Sequence, residues 1–294
     1  MASDRQEFLI PFNGLVEARA DVKGRLRAGF DRVLESGTFM FGEETTAFAA
    51  EFGEFIGSEH LVFVGNGTDA LEISLRAVGV GHGDVVLTVA NGGGYGSVAI
   101  RAVGATPEYL DVTAEDLLVD VAALKMRLEG GGVRPVAVIV THLYGGLAPI
   151  REIVDLCRRH SIRVVEDCAQ GAGLRDRGRH VGTFGDIGTY SFYPTKNLGA
   201  LGDAGAITTI DPEIFARLKV LSQYGWTTKY HSELAFGRNS RMDEIQAAML
   251  RVKLPMVAGL NQRRREIYDL YLGSFPNLRF VHRNHRASNI HLAV

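Results

Sequence analysis

Short, unbroken apolar runs that alternate with helical patterns constrain this chain more than any other feature. Leu61–Gly65, Val85–Val89, Glu108–Val112, Val136–Thr141, Ile162–Glu166, Gly188–Phe192 and Ala204–Ile210 read as strands. Several lack polar alternation, as strands covered on both faces do. Between them, helical patterns cover Asp69–Val78, Ala114–Leu128, Ile150–His160 and Asp211–Leu221. In the third of these, Ile150, Ile153, Val154 and Cys157 recur at the spacing of one helix face. Strands alternating with helices make βαβ units, and these build a mainly parallel sheet between helical layers. Glycine-rich turns at 79–84, 130–132 and 145–146 join the units; 35 glycines in 294 residues is about 12%, against a usual ~7%. From about Asp243 the pattern is helical through Arg251 and again over Asn261–Leu272, with Arg263–Arg265 expected on a solvated face. Arg279–Val281 and Ile290–Val294 read as strand-like, with a polar turn between them.

The rest of the composition narrows the class of protein. A formal charge of −2 gives no electrostatic reason to expect nucleic acid or an anionic membrane as partner. No run approaches the ~18 apolar residues of a membrane helix. The polar opening Met1–Glu7 shows no signal peptide, and two cysteines, Cys157 and Cys168, make no disulfide framework. The expectation is a reduced, cytoplasmic α/β protein.

Three sequence features carry chemistry. Asn66-Gly67-Thr68-Asp69 joins an apolar strand to a helix, and the free N–H groups and dipole at a helix start attract an anion. Gly67 lets the backbone approach a phosphate and Thr68 adds a hydroxyl; Asn66 or Thr68 acting only as a helix cap is the plainer alternative. Asp167 ends a buried strand, where a carboxylate needs a cation or donors to offset its desolvation. No His/Asp/Glu spacing beside it suggests a metal site. Lys196 follows another strand in a turn held by Pro194 and followed by glycine, where a desolvated amine can act as a nucleophile. Anion cradle, strand-end carboxylate and poised lysine together are the requirements of a pyridoxal 5′-phosphate site.

The words carrying these residues are Gly67-Thr68-Asp69-Ala70-Leu71, Gly104-Ala105-Thr106-Pro107, His142-Leu143-Tyr144-Gly145, Glu166 to Gln170, Ser191 to Gly199, and Asn239 to Ala248. In this order and spacing the sequence resembles the DegT/DnrJ/EryC1/StrS family of pyridoxal-phosphate-dependent sugar aminotransferases. The resemblance implies an aspartate aminotransferase-like (fold type I) three-layer α/β/α large domain, residues 1–255, with 256–294 forming a helix and the start of an incomplete C-terminal small domain. It implies Lys196 as the amine that takes up the cofactor's aldehyde and later moves a proton, and Asp167 as partner of the ring nitrogen. Gln170 would hydrogen-bond the ring's 3′-oxygen, and Gly67, Thr68 and Ser191 would hold the phosphate. Asn239 would reach the phosphate of a neighbouring subunit, so that a homodimer shares its sites; the residue could also cap the helix Asp243–Arg251. Relatives stack an aromatic residue on the ring shortly after the strand matching Val85–Val89, and Tyr95 is the aromatic that stretch offers.

The implied reaction moves an amino group from L-glutamate to a nucleotide-linked keto-deoxyhexose, at C-3 of a dTDP-3-keto-6-deoxyhexose, in deoxyaminosugar biosynthesis. Tyr193–Asp203 and Gln223-Tyr224-Gly225-Trp226 resemble the C-3 members. The alternatives are a C-4 enzyme or a regulatory relative that binds the cofactor without turnover. Related dehydratases carry histidine in place of the lysine, so Lys196 argues against that chemistry.

Overall fold

The extended runs pair into one seven-stranded sheet in the computed structural model, which describes residues 14–15, 19–281 and 287–294. Its strands are β1 (His60–Val64), β2 (Val85–Val89), β3 (Thr106–Leu110), β4 (Ala137–Thr141), β5 (Arg163–Asp167), β8 (Ile187–Ser191) and β9 (Gly205–Thr209). Two short hairpins lie outside it, β6–β7 (Arg175–Asp176 with Arg179–His180) and β10–β11 (Trp226–Thr228 with His231–Ser232). The sheet order is β1-β9-β8-β5-β4-β2-β3. β3, β2, β4, β5 and β8 run parallel, and β9 lies antiparallel to both β8 and β1. One reversed strand in seven matches the mainly parallel sheet expected from the βαβ pattern.

Alternation along the strands assigns the two faces. Ala137 and Ile139 of β4 pack with Leu71 and Leu75 of α3 (Gly67–Ala77) and with Ala99 and Ile100 of α4 (Tyr95–Ala102). Val138 and Val140 pack with Leu124 of α5 (Val121–Glu129) and Ile150, Ile153 and Leu156 of α6 (Ile150–Arg159). Further along, α7 (Pro212–Leu221) covers β1 and β9 beside α3. On the opposite side an aromatic cluster of Phe48, Phe52, Tyr190 and Phe192 joins α2 (Glu43–Ile56) to the sheet and to α8 (Glu244–Lys253). Helix, sheet, helix is the three-layer architecture the resemblance implied. α1 (Ala20–Ser36) packs Val33 on Ala248 and Met249 of α8, and α9 (Val257–Ser274) carries the chain back toward the site.

Four local readings are corrected. The helix expected over Ala114–Leu128 starts only at Val121, because Leu117 turns left-handed (φ 58°) and Asp120 caps the helix by accepting the Ala122 N–H at 2.8 Å. Arg279–Val281 and Ile290–Val294 form no strand; Ser288 makes a single bridge to Gly146, and Val281 N–H donates to Val294 O at 2.7 Å. Residues 282–286 of the turn between them and the opening Met1–Glu7 lie outside the described residues. Asn239 does not cap α8: Asp243 holds that position and gives no side-chain cap. The arginine run is not uniformly solvated, for Arg264 is half-buried with its Nη1 sealed from water.

Candidate active site

Every parallel strand points its C-terminal end toward one edge of the sheet, the edge that holds ligands in open α/β folds. β1 leads there into Asn66 and Gly67, β5 ends in Asp167, and β8 ends in Ser191, with Lys196 five residues on. Their side chains meet. Asn66, Gly67, Thr68, Tyr95, Asp167, Ser191 and Lys196 line one cavity of about 350 Å³, together with Leu71, Ala169, Tyr193, Thr195 and Asp203.

The anion cradle is built by the start of α3. Asn66 is its cap, accepting the Asp69 N–H at 2.8 Å, and Gly67 and Thr68 of the first turn line the cavity. The cap reading of Asn66 therefore holds. Gly67 is required by closeness: a Cβ there would lie 2.7 Å from the Ser191 Cβ. Behind the cradle, Ser240 Oγ accepts the Gly65 N–H at 2.9 Å and donates to Asp69 at 2.5 Å, while Arg238 reaches Asp69 at 3.2 Å and Glu72 at 2.6 Å. Sequence reading missed this brace, because its halves lie 171 residues apart.

Asp167 is buried with few donors. Its Oδ1 accepts the Ala169 N–H at 3.1 Å, and Thr141 Oγ1 reaches its Oδ2 only at 3.5 Å. Burial raises its pKa, while the Ala169 amide, the Lys196 charge and His142 pull the other way. Burial also holds the Lys196 amine below its usual pKa, against the pull of Asp167. The lysine sits on a tight turn, its N–H donating to Tyr193 O at 2.8 Å. Gly199 closes that turn, where a Cβ would fall 2.5 Å from Pro194 O.

The fold does bring three metal-ligand types together, which the spacing did not suggest: His142, Glu166 and Cys168 place their ligand atoms within 4.8 Å of one another. These atoms are already in use. Glu166 accepts the N–H groups of Gly182 (2.8 Å), Phe184 (2.7 Å) and Gly185 (2.7 Å), and His142 Nε2 donates to it at 3.2 Å. Burial pushes the Cys168 thiol well above its ordinary pKa, so it stays protonated. The cluster is a hydrogen-bonded core element.

Two predicted residues stand off the cavity wall. Gln170 is half-buried, and its Oε1 accepts the Tyr144 N–H. Asn239 is exposed and pairs only by a backbone bridge with Gln223.

A recessed amine, a buried carboxylate short of donors and an open pair of helix amides in one cavity fit pyridoxal phosphate. The profile of the DegT/DnrJ/EryC1/StrS aminotransferase family matches residues 21–294. The chain belongs to that family. It is a pyridoxal-phosphate-dependent aminotransferase. It is 38% identical over 283 residues to a dTDP-3-amino-3,4,6-trideoxy-alpha-D-glucose transaminase of Streptomyces venezuelae, covering 95% of this chain and 72% of that one. It is 39% identical over 262 residues to the erythromycin biosynthesis sensory transduction protein EryC1 of Saccharopolyspora erythraea, covering 89% of this chain and 70% of that one. Among solved structures, DesV of S. venezuelae in complex with a ketimine intermediate superposes with a TM-score of 0.86 at 37% identity, over 92% of this chain and 71% of that one. No helix among the described residues of this aminotransferase is long and apolar enough to cross a membrane.

Proposed function

We propose that this aminotransferase moves an amino group from L-glutamate to C-3 of a nucleotide-linked keto-deoxyhexose, a dTDP-3-keto-6-deoxyhexose, in the cytoplasm. The observation that carries the reading is the meeting of Lys196, Asp167 and the α3 amides in one cavity of about 350 Å³. Pyridoxal phosphate, when bound, supplies an aldehyde and an electron-withdrawing ring. The chain supplies the rest. Gly67, Thr68 and Ser191 would hold the phosphate through amides and hydroxyls. Asp167 holds a positive charge on the ring nitrogen, which also relieves its own desolvation. Lys196 Nζ would hold the cofactor at its aldehyde carbon, the aldehyde oxygen leaving as water, and when displaced by the amino donor would move the proton at the donor's Cα; burial holds its pKa below the usual lysine value, which favours the neutral amine. Tyr95, which lines the cavity, would pack on the ring, and Gln170, which stands off the wall, would reach the 3′-oxygen through its Nε2.

The name of the S. venezuelae relative and the residues around Lys196 support C-3. The exposure of Asn239 is compatible with a homodimer that shares its sites, and two residues on, the Arg241 guanidinium lies over the exposed Phe41 ring (59% exposed) at 5.8 Å. We further propose a division at residue 255/256 between the large domain and the start of a small one.

The test is spectroscopic and catalytic. The chain loaded with pyridoxal phosphate should show the visible band of lysine-bound cofactor, lose it on adding glutamate, and convert 3-keto in preference to 4-keto dTDP-sugars. Lys196→Ala should abolish both band and turnover while keeping the fold. A wild-type band that glutamate leaves untouched would favour the regulatory reading that the EryC1 relative's name suggests. Transamination by Lys196→Ala would sink the assignment.

A further inference from the structure

Asn289 lies far along the chain from the residues it touches and is 1% exposed. Its Nδ2 donates to two carbonyls, Gln170 O and Ala172 O, each at 3.0 Å. Its backbone N–H donates to Gly145 O at 3.0 Å, and its carbonyl accepts from Asn197 Nδ2 at 3.4 Å. One residue thus touches the turns that follow β4, β5 and β8, three adjacent strands of the sheet. The seat is made by a missing side chain: a Cβ on Gly145 would fall 1.8 Å from Asn289 Oδ1.

Two of these turns matter for the cofactor. Lys196 precedes Asn197. Gln170 spends its Oε1 on the N–H of Tyr144, a residue held left-handed at φ 58°. The same turn is pinned from the other side, where His291 N–H donates to Tyr144 O at 2.9 Å and Ser288 Oγ to Gly145 O at 2.8 Å. With Oε1 taken, the free end of the Gln170 amide is its donor Nε2, the end a negatively charged ring oxygen requires.

We infer that Asn289 is a positioning residue of the active site: by tying the three turns together it fixes the Gln170 amide with Nε2 free and holds the Lys196–Asn197 turn beside it. Packing alone does not explain the residue, because its Oδ1 is buried without a donor, a cost that an apolar side chain would avoid. The inference rests on the proposed roles of Gln170 and Lys196.

The experiment follows the absorbance of lysine-bound pyridoxal phosphate against pH, with thermal midpoints recorded alongside. A donor at the ring oxygen withdraws charge that otherwise holds the proton on the lysine nitrogen. Gln170→Ala should therefore raise the titration midpoint, by about half a unit or more. Asn289→Ala should move it in the same direction, and the double variant should move it no further than Gln170→Ala alone. Gly145→Ala, which expels Asn289 from its seat, should reproduce the shift. Should Asn289→Ala lose the cofactor through misfolding, Asn289→Ser keeps the backbone bonds and is read in the same way. If Gln170→Ala moves the midpoint and the Asn289 variants change only the thermal midpoint, the residue is merely structural and the inference fails. If Gln170→Ala itself moves nothing, the role given to Gln170 fails instead.

Discussion

Gly67→Ala tests the phosphate cradle with one methyl group. Gly67 opens α3 without a left-handed backbone, so alanine suits the helix and gains up to about 1 kcal/mol there. The added Cβ would lie 2.7 Å from the Ser191 Cβ, 3.3 Å from its Oγ and 3.4 Å from its Cα. Ser191 is paired with Gly205 of β9, so it cannot retreat without moving a strand. Relief to the 3.4 Å of ordinary contact shifts the first turn of α3 by about 0.7 Å. Overpacking of this kind costs ~1–3 kcal/mol, leaving a net loss of about 0–2 kcal/mol after the full helix gain. The larger effect falls on the ligand. The amides of Gly67 and Thr68 and the hydroxyl of Ser191 straddle the gap being opened, so donors that must converge on one anion separate. One charge-assisted bond lost is about 1.5–3 kcal/mol, roughly 10- to 100-fold in cofactor affinity. Titrating apoprotein with pyridoxal phosphate in phosphate-free buffer measures the affinity, and urea unfolding of the apoprotein measures the strain. Adding Ser191→Gly to Gly67→Ala removes the clashing atoms and should restore stability without restoring affinity. A Gly67→Ala protein that loses stability yet binds the cofactor within twofold of wild type would refute the cradle.

Asp167→Asn should keep the lysine-bound cofactor band but lower kcat by 100-fold or more, about 3 kcal/mol, because an amide cannot balance a charged ring nitrogen; a near-native kcat removes Asp167 from that role. Glu244 (2% exposed) accepts the N–H groups of Gly42 (2.8 Å), Glu44 (2.8 Å) and Thr45 (3.2 Å) at the start of α2, as well as the Thr45 hydroxyl. Glu244→Ala should cost about 2–4 kcal/mol in urea unfolding, and an unchanged midpoint contradicts this capping. Burial pushes the His180 pKa down to about 4; Nε2 accepts the Gly173 N–H at 2.9 Å and Nδ1 donates to Val181 O at 2.5 Å. Since ~6.5 is the unfolded value, the unfolded chain takes the proton first, and stability falls as pH drops from ~6.5 to ~4, by up to about 3 kcal/mol. His180→Gln should flatten that decline in urea midpoints measured between pH 7 and 4.5; an identical slope rules out His180 as its source.

What the sequence disclosed is what a strand's own end carries. Lys196, Asp167 and the Gly67–Thr68 pair were legible because each follows an apolar run, and a polar group in that place needs a reason. Tyr95 was harder: Asn91–Gly94 reads as loop, and the eight-residue α4 that places Tyr95 depends on burying Ala99 and Ile100 rather than on helix propensity. The tail misled for a related reason. Its β-rich composition suggests strands, but Ser288–His291 spends its hydrogen bonds on the Tyr144–Gly145 turn instead of on a ladder. Asn289 gave no signal at all, since its two acceptors lie 119 and 117 residues away.

The adjacent carboxylates Glu166 and Asp167 show where local reading stops. Both end the same strand, and the alternation of β5 sends them to opposite faces of the sheet. Glu166 (0% exposed) meets four donors, three backbone amides of residues 182–185 and the His142 ring, which together offset its desolvation and tie a loop under the sheet. Asp167 (6% exposed) meets one amide and a distant hydroxyl. The first carboxylate is satisfied and structural. The second has fewer partners and lies beside a lysine in a cavity, which supports its proposed pairing with the ring nitrogen. Counting donors separates the two roles, and apart from the Ala169 amide those donors come from the end of β4, the residue after it and the loop before β8, so a window of sequence around Glu166-Asp167 does not tell them apart.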